Sequence, residues 1–378
     1  MESGSAASQR TLEKIKVGAI GVGWWAQYAH LPSLKLLPEY DLAAVYSRNK
    51  ETAAALAAQH GFRYAVDSVQ QLVSHPEVDL VLVLTPAPQH EQGVRAAIAA
   101  GKDVYCEWPL TPSTALSEEL LGLARQAGVR TVIGLQRRLA PDYRYVRDLL
   151  DEGYIGELRS VRLHVSARSF QRERPASLAY TVPEQNFSSL LPVFGGHFLD
   201  VLFRALFDFP VDLSALVANQ VNEVTLIETG EVLPHTSEDQ VVLAGTFGNG
   251  AVLSVHLEAG KRNNFGVQLD ITGSEGDLRI SNSTSVGDTF NRIEGARGDA
   301  QPLTDLPIPD RYQWLPTSQL GSSVLELAHL YAAYARDVST GSTIAPSFAD
   351  ALDMHTLIDQ IKQSSTSGMR VDLRLWTR

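Results

Sequence analysis

The stretch Ile15-Lys-Val-Gly-Ala-Ile20-Gly21-Val-Gly23-Trp24-Trp25-Ala26 decides how the chain begins to fold. A short apolar strand, Ile15–Ile20, runs into Gly21, Gly23 and Ala26 at the spacing G-x-G-x-x-A, and a helical pattern over 24–37 opens at once. In such a β-turn-α unit the first glycine makes the tight turn and the second lets the backbone approach a pyrophosphate. The small third residue lets the helix pack closely, with its amino end facing the phosphates. The same string can serve as a packing turn, but placed after a strand and at the start of a helix it is read as dinucleotide-binding.

Working outward, strand patterns at 41–46, 79–84, 103–106 and 130–135 alternate with helical ones at 50–60, 92–100 and 113–127. Leu80 to Leu84 is apolar throughout, as a strand covered on both faces should be. Strict alternation predicts an α/β fold, a doubly wound parallel (Rossmann) sheet over 14–136. Beyond Gln136 the pattern changes. A helix over 141–152 precedes strand candidates at 158–167, 214–227, 241–247, 251–257, 265–272 and 277–281, with Asn249-Gly250 as a hairpin turn. Helical patterns return at 319–339 and 347–364. Residues 137–378 are therefore expected to form an α+β domain with a mostly antiparallel, open-faced sheet, and 283–316 a long loop. Residues 1–13 hold no hydrophobic run and read as a disordered leader.

The 378 residues carry 32 basic and 43 acidic side chains, a net charge of -11. Such a surface repels phosphate backbones and anionic lipid, so neither nucleic acid nor membrane is an expected partner. No apolar run looks long enough to span a bilayer. The single cysteine, Cys106, allows no internal disulfide, and no His/Cys/Asp/Glu spacing suggests a metal. A cytoplasmic protein is expected.

The second strand ends in Ser47-Arg48, where an NAD site would place a carboxylate for the ribose hydroxyls. A hydroxyl and a guanidinium suit a 2′-phosphate instead, so NADP(H) is the expected cofactor, with NAD(H) as the alternative. Arg48 as a plain solvated charge is the competing reading.

Four motifs in order resemble the glucose–fructose oxidoreductase/inositol dehydrogenase family: 21–34 ending Ala-His30-Leu-Pro-Ser-Leu, Thr85-Pro86-Ala-Pro-Gln-His90, Glu107-Trp108-Pro-Leu and Gly195-Gly-His197-Phe-Leu-Asp200. The closing 369–373 is similar to its final strand. The resemblance implies a dinucleotide site that includes Thr85, Pro86, His90, Glu107 and Trp108. It also implies a catalytic Lys–Asp–His set, of which this chain keeps only His197. Trp108 stands for the lysine and has no titratable proton, and Val193 stands for the aspartate. The departures resemble the galactose-repressor branch of the same family, which binds a dinucleotide and represses through an activator protein.

His197 is accordingly the leading candidate acid–base, with Asp200 on the same helix face either orienting it or forming a structural salt bridge. Tyr180 is a substitute proton donor or a packing residue. Gln136 and Arg137 follow the last parallel strand and are candidate substrate contacts, and Trp24 and Trp25 are candidate cofactor contacts, at least one of them expected to pack under the cofactor. Three functions compete: an NADP-dependent oxidoreductase acting on a hydroxyl or carbonyl of a small metabolite, a non-catalytic regulator (which could be nuclear) with a protein partner, and a lyase or isomerase on the same fold. Self-association through the open sheet face is expected, giving a homodimer or larger.

Overall fold

The structure is a computed structural model that describes residues 13–263, 266–284 and 290–374. The first sheet has six parallel strands, β1 (Ile15–Ile20), β2 (Tyr40–Tyr46), β3 (Tyr64–Val66), β4 (Leu80–Val83), β5 (Asp103–Cys106) and β6 (Thr131–Ile133), in the order β3-β2-β1-β4-β5-β6. The order reverses between β1 and β4, and the crevice at the carboxyl ends of these strands is where such sheets bind ligands. Helix caps follow the sequence closely. Asn49 accepts from Thr52 N at the start of Lys50–His60, Ser113 from Leu116 N at Thr114–Ala127, and glycines in left-handed conformation close both. The first helix, 24–36, contains a wide turn at Ala26–His30 that delivers His30 into the core, fully buried.

The remaining strands are β7 (Leu158–Ser166), β8 (Glu173–Arg174), β9 (Asp212–Ala218), β10 (Glu223–Leu226), β11 (Val232–Pro234), β12 (Gln240–Thr246), β13 (Val252–Glu258), β14 (Gly266–Gly273), β15 (Gly276–Asn282), β16 (Arg292–Arg297), β17 (Thr304–Asp305) and β18 (Val371–Asp372). Nine of them form one sheet, β17-β16-β15-β14-β7-β13-β12-β9-β18, antiparallel except where β7 meets β13. The other three, β11-β10-β8, form a small separate sheet. Helices Pro141–Asp151, 190–206 and Phe348–Ser367 bury one face of the large sheet through residues such as Val146, Leu199, Leu202 and Ile358. The opposite face carries Arg162, His164, Ser254 and His256, with an exposed apolar corner of Leu216, Val242 and Val252.

Three expectations are corrected and one strand is added. The candidate strand over 214–227 is two strands in different sheets, because Asp239 Oδ2 accepts the Gln220 and Val221 amides and turns the chain between them. The expected loop over 283–316 contributes β16 and β17 to the edge of the large sheet, with Ile293 buried beneath; its residues 285–289, and Phe265 of another candidate strand, lie outside the described residues. Strand β3 had no strong apolar signal, since Tyr64 and Ala65 are exposed at the sheet edge. Finally, the stretch Glu184–Leu206 is by length and hydropathy able to cross a membrane, but 78% of its most apolar window is buried inside the protein as a core helix. Residues 1–12 of the expected leader are likewise outside the described part.

Helix Ser322–Thr340 returns to the first sheet. Its Val324, Leu327, Leu330 and Tyr331 share a core with Val17, Ala29, Leu34 and Tyr40.

Candidate active site and dinucleotide cleft

A cleft of ≈ 820 Å³ lies at the carboxyl ends of β1, β2 and β4, lined by Gly21, Gly23, Ser47, Arg48, Thr85 and Pro86 among others. Gly21 has φ +82°, and a Cβ there would lie 2.4 Å from Thr85 Cγ2, so only glycine fits. At Gly23 nothing stands within 4 Å of where a Cβ would be. That opening at the start of a helix is what a pyrophosphate needs. Thr85 Oγ1 is buried without a hydrogen-bond partner, a donor held ready for a ligand. Arg48 is exposed at the rim, and no carboxylate of the described residues pairs with it. These features fit a dinucleotide.

Beside the cleft, Glu107 follows β5. Its Oε1 accepts from Tyr105 Oη at 2.5 Å and lies 3.0 Å from His30 Nε2, while His30 Nδ1 meets Tyr331 Oη at 2.6 Å. Burial works against the Glu107 charge, but His30, the Tyr105 hydrogen bond and His197 outweigh it and keep the carboxyl below its usual range. The same charge reaches Tyr180. Burial first, then Glu107, raises the Tyr180 phenol above its ordinary value, so it stays protonated at neutral pH. His197 also feels Glu107, but burial and the Arg137 guanidinium dominate and pull it down to about 3; its Nδ1 is buried without a partner. Around one ionised carboxylate the fold thus sets a protonated phenol and a neutral imidazole.

Trp108 is buried, donates Nε1–H to the Pro192 carbonyl at 2.7 Å and packs edge-on against His355, ring centroids 5.0 Å apart. It fills the wall between the two sheets rather than lining the cleft.

The other sequence candidates fall in distinct places. His90 is buried with its ring nitrogens at the Thr85 and Leu110 carbonyls, 2.5 and 3.1 Å away. It therefore ties two cleft loops together from behind and does not reach a cofactor directly. Trp24 is 73% exposed and stacks on Tyr28, centroids 5.0 Å apart, so it does not pack under the cleft; Trp25 is half-buried and stands edge-on to His30. Asp200 is fully buried and held by Arg138, which also reaches Asp350 at 2.9 Å. Its carboxylate is spent on that ion pair and does not orient His197. Gln136 and Arg137 are buried, Arg137 lying over the Phe198 ring and 3.9 Å from Glu326. The sequence reading missed His30 and Tyr331 as supports of Glu107. They stand 301 residues apart, and no local pattern joins them.

The profile of an oxidoreductase family with an NAD-binding Rossmann fold (GFO_IDH_MocA) matches residues 15–135, and that of the Gal80p C-terminal domain matches 141–282. The nucleotide-binding part of the chain thus carries the pattern of this oxidoreductase family and the part after it that of a Gal80p domain. It is 26% identical over 344 residues to the galactose/lactose metabolism regulatory protein GAL80 of Saccharomyces cerevisiae, covering 84% of this chain and 78% of that one. Dehydrogenase aclE of Aspergillus oryzae is 32% identical over 206 residues, 52% of this chain and 56% of the relative. Levoglucosan dehydrogenase, solved in complex with NADH and L-sorbose, shares the fold with a TM-score of 0.82 at 22% identity over 95% of this chain and 98% of that one.

Proposed function

We propose that the chain is an NADP(H)-dependent oxidoreductase acting on a hydroxyl or carbonyl group of a small metabolite, with Tyr180 rather than His197 handling the proton. The cleft at the Gly21–Gly23 turn, with Thr85 Oγ1 buried without a partner and Arg48 exposed at its rim, carries the reading, and the Glu107 charge that raises Tyr180 supports the proton role. Bound NADP(H) supplies or accepts the hydride. The Gly21–Gly23 turn and Thr85 Oγ1 would hold its pyrophosphate region, and Ser47 with Arg48 its 2′-phosphate. In the reducing direction the Tyr180 phenol donates a proton to the nascent alkoxide. His197, neutral at any physiological pH, orients the substrate oxygen through a ring N–H or lone pair. Glu107 favours the protonated phenol between turnovers.

The test is a turnover screen over polyols, aldoses and related carbonyl compounds, read at the reduced-nicotinamide absorbance band, for wild type, Tyr180→Phe and His197→Ala. Turnover that survives Tyr180→Phe unchanged overturns the assignment. Trp108 favours a second reading, a dinucleotide-responsive regulator with a protein partner, because its indole occupies the position of the family's proton-handling lysine. No turnover with any substrate, together with partner binding that changes on adding NADP(H), would establish that reading instead.

A further inference from the structure

The run His235-Thr236-Ser237-Glu238-Asp239 joins β11 to β12, and all but Thr236 are buried. Its side chains point two ways. Towards the short helix Ala176–Thr181, which carries Tyr180, His235 Nδ1 donates to the Val221 carbonyl at 2.5 Å, so Nε2 is left to accept from Arg174 at 3.0 Å. The rest of that buried guanidinium donates to the carbonyls of Phe170, Gln171 and Thr181 and to Thr181 Oγ1, at 2.9–3.3 Å. Ser237 Oγ donates to the Val182 carbonyl at 3.1 Å, and Thr236 Oγ1 accepts from Glu184 N at 2.9 Å. Towards helix 190–206, which carries His197, Glu238 Oε1 accepts from Leu191 N at 2.8 Å and Ser189 Oγ at 2.5 Å. Asp239 anchors the run through the Gln220 and Val221 amides.

A cation and two carboxylates buried within one short loop system are costly unless each is fully used. Here Arg174 and Glu238 are spent on groups that fix where the two candidate catalytic segments sit, and Asp239 holds the run itself through the Gln220 and Val221 amides. We infer that the 235–239 run is a positioning clasp, with Arg174–His235 as the grip on Tyr180 and Glu238 as the grip on His197, and that it sets the separation of the two side chains. This rests on the redox reading above for its effect on rate, though not for its effect on geometry. His235 faces Arg174 and Asp239. Protonating it would set an imidazolium against the guanidinium and open the Tyr180 grip.

The experiment combines kinetics and resonances on Arg174→Lys, His235→Asn, Glu238→Ala and Glu238→Gln. Misplacement of a reacting group by about 1 Å costs up to roughly 100-fold in rate. Glu238→Ala and Arg174→Lys are expected to lower kcat by about ten- to a hundred-fold, with NADP(H) affinity and KM within about two-fold. Glu238→Gln, which keeps the accepting oxygen, restores most of the rate. His235→Asn keeps a donor for the Val221 carbonyl and removes the titration, so any fall in kcat at acid pH in wild type disappears. With ring-labelled tyrosine and histidine, Glu238→Ala shifts the Tyr180 resonance as well as that of His197, and Arg174→Lys shifts both in turn. A purely local role moves only the nearer residue, and that result overturns the inference. If wild type turns over nothing, the redox reading fails and the cross-shifted resonances alone decide the clasp. Should Glu238→Ala or Arg174→Lys not fold, Ser189→Ala, which removes one donor to Glu238, is read in its place: a Tyr180 signal unmoved beside a shifted His197 signal overturns the clasp.

Discussion

Trp108 packs against Gly196: a Cβ at position 196 would stand 2.3 Å from the indole Nε1 and 2.6 Å from Cε2. The absence of a side chain next to His197 and the presence of a large one after Glu107 are one packing arrangement, so the two positions are coupled.

Gly196→Ala is therefore expected to lose about 1–3 kcal/mol by overpacking, and Trp108→Leu added to it recovers part of that loss. Thermal unfolding of the two single variants and the double variant gives the coupling.

Arg48→Ala should abolish the preference for NADPH over NADH, which is expected to be about ten- to a hundred-fold, as a charge-assisted phosphate contact is worth roughly 1.5–3 kcal/mol. Fluorescence titration of both cofactors measures it. Equal wild-type affinities would remove the 2′-phosphate role.

With His197 held near 3 by burial and Arg137, and Tyr180 raised by burial and Glu107, neither group changes charge between pH 5 and 8. Tyr180→Phe should lower kcat by about 10²–10³-fold, whereas His197→Ala acts on substrate KM as well and introduces no new pH limb in that window. Profiles of kcat and kcat/KM across pH 5–8 separate the two.

Glu326 is buried beside Arg137 and Asp142, and burial pushes its carboxyl from an ordinary 4.5 up to about 7 despite Arg137. Between those values the folded state holds a proton that the unfolded chain has lost. Stability must then fall as pH rises from about 5 to 7, by about 1–3 kcal/mol, and level off above. Glu326→Gln is expected to flatten that slope in urea titrations run at pH 5, 6, 7 and 8.

The exposed corner of Leu216, Val242 and Val252 on the open sheet face is the expected place of self-association. Light scattering should give at least a dimer mass for wild type at micromolar concentration and a lower mass for Val242→Glu. A monomeric wild type would leave that face simply solvated, as its Arg162, His164 and Ser254 permit.

Local signals carried most of the parallel sheet. Helix Lys50–His60 and strand Asp103–Cys106 are where capping residues and apolar runs place them. The glycine turn was legible because Gly21 sits in a left-handed conformation against Thr85 that only glycine fits, while Gly23 leaves the helix start open. What sequence could not give was long-range polar pairing. Asp200 and His197 share a helix, yet Arg138, 62 residues away from Asp200, claims the carboxylate. His197 is an acid–base by residue type, and only burial among apolar neighbours beside Arg137 makes it a neutral ring. The edge strands Arg292–Arg297 and Thr304–Asp305 were hidden by glycine and aspartate, residues that an edge tolerates and a central strand does not.

The return of helix Ser322–Thr340 to the first sheet has a consequence for synthesis in the cell. The strands end at Ile133, whose amide donates to the Pro346 carbonyl at 2.9 Å, and the apolar face below them is closed by residues some two hundred positions later. At translation speeds of 5–20 residues per second, that face waits roughly 10–40 s for its cover. The nascent nucleotide-binding half therefore keeps an apolar face uncovered until helix Ser322–Thr340 has left the ribosome.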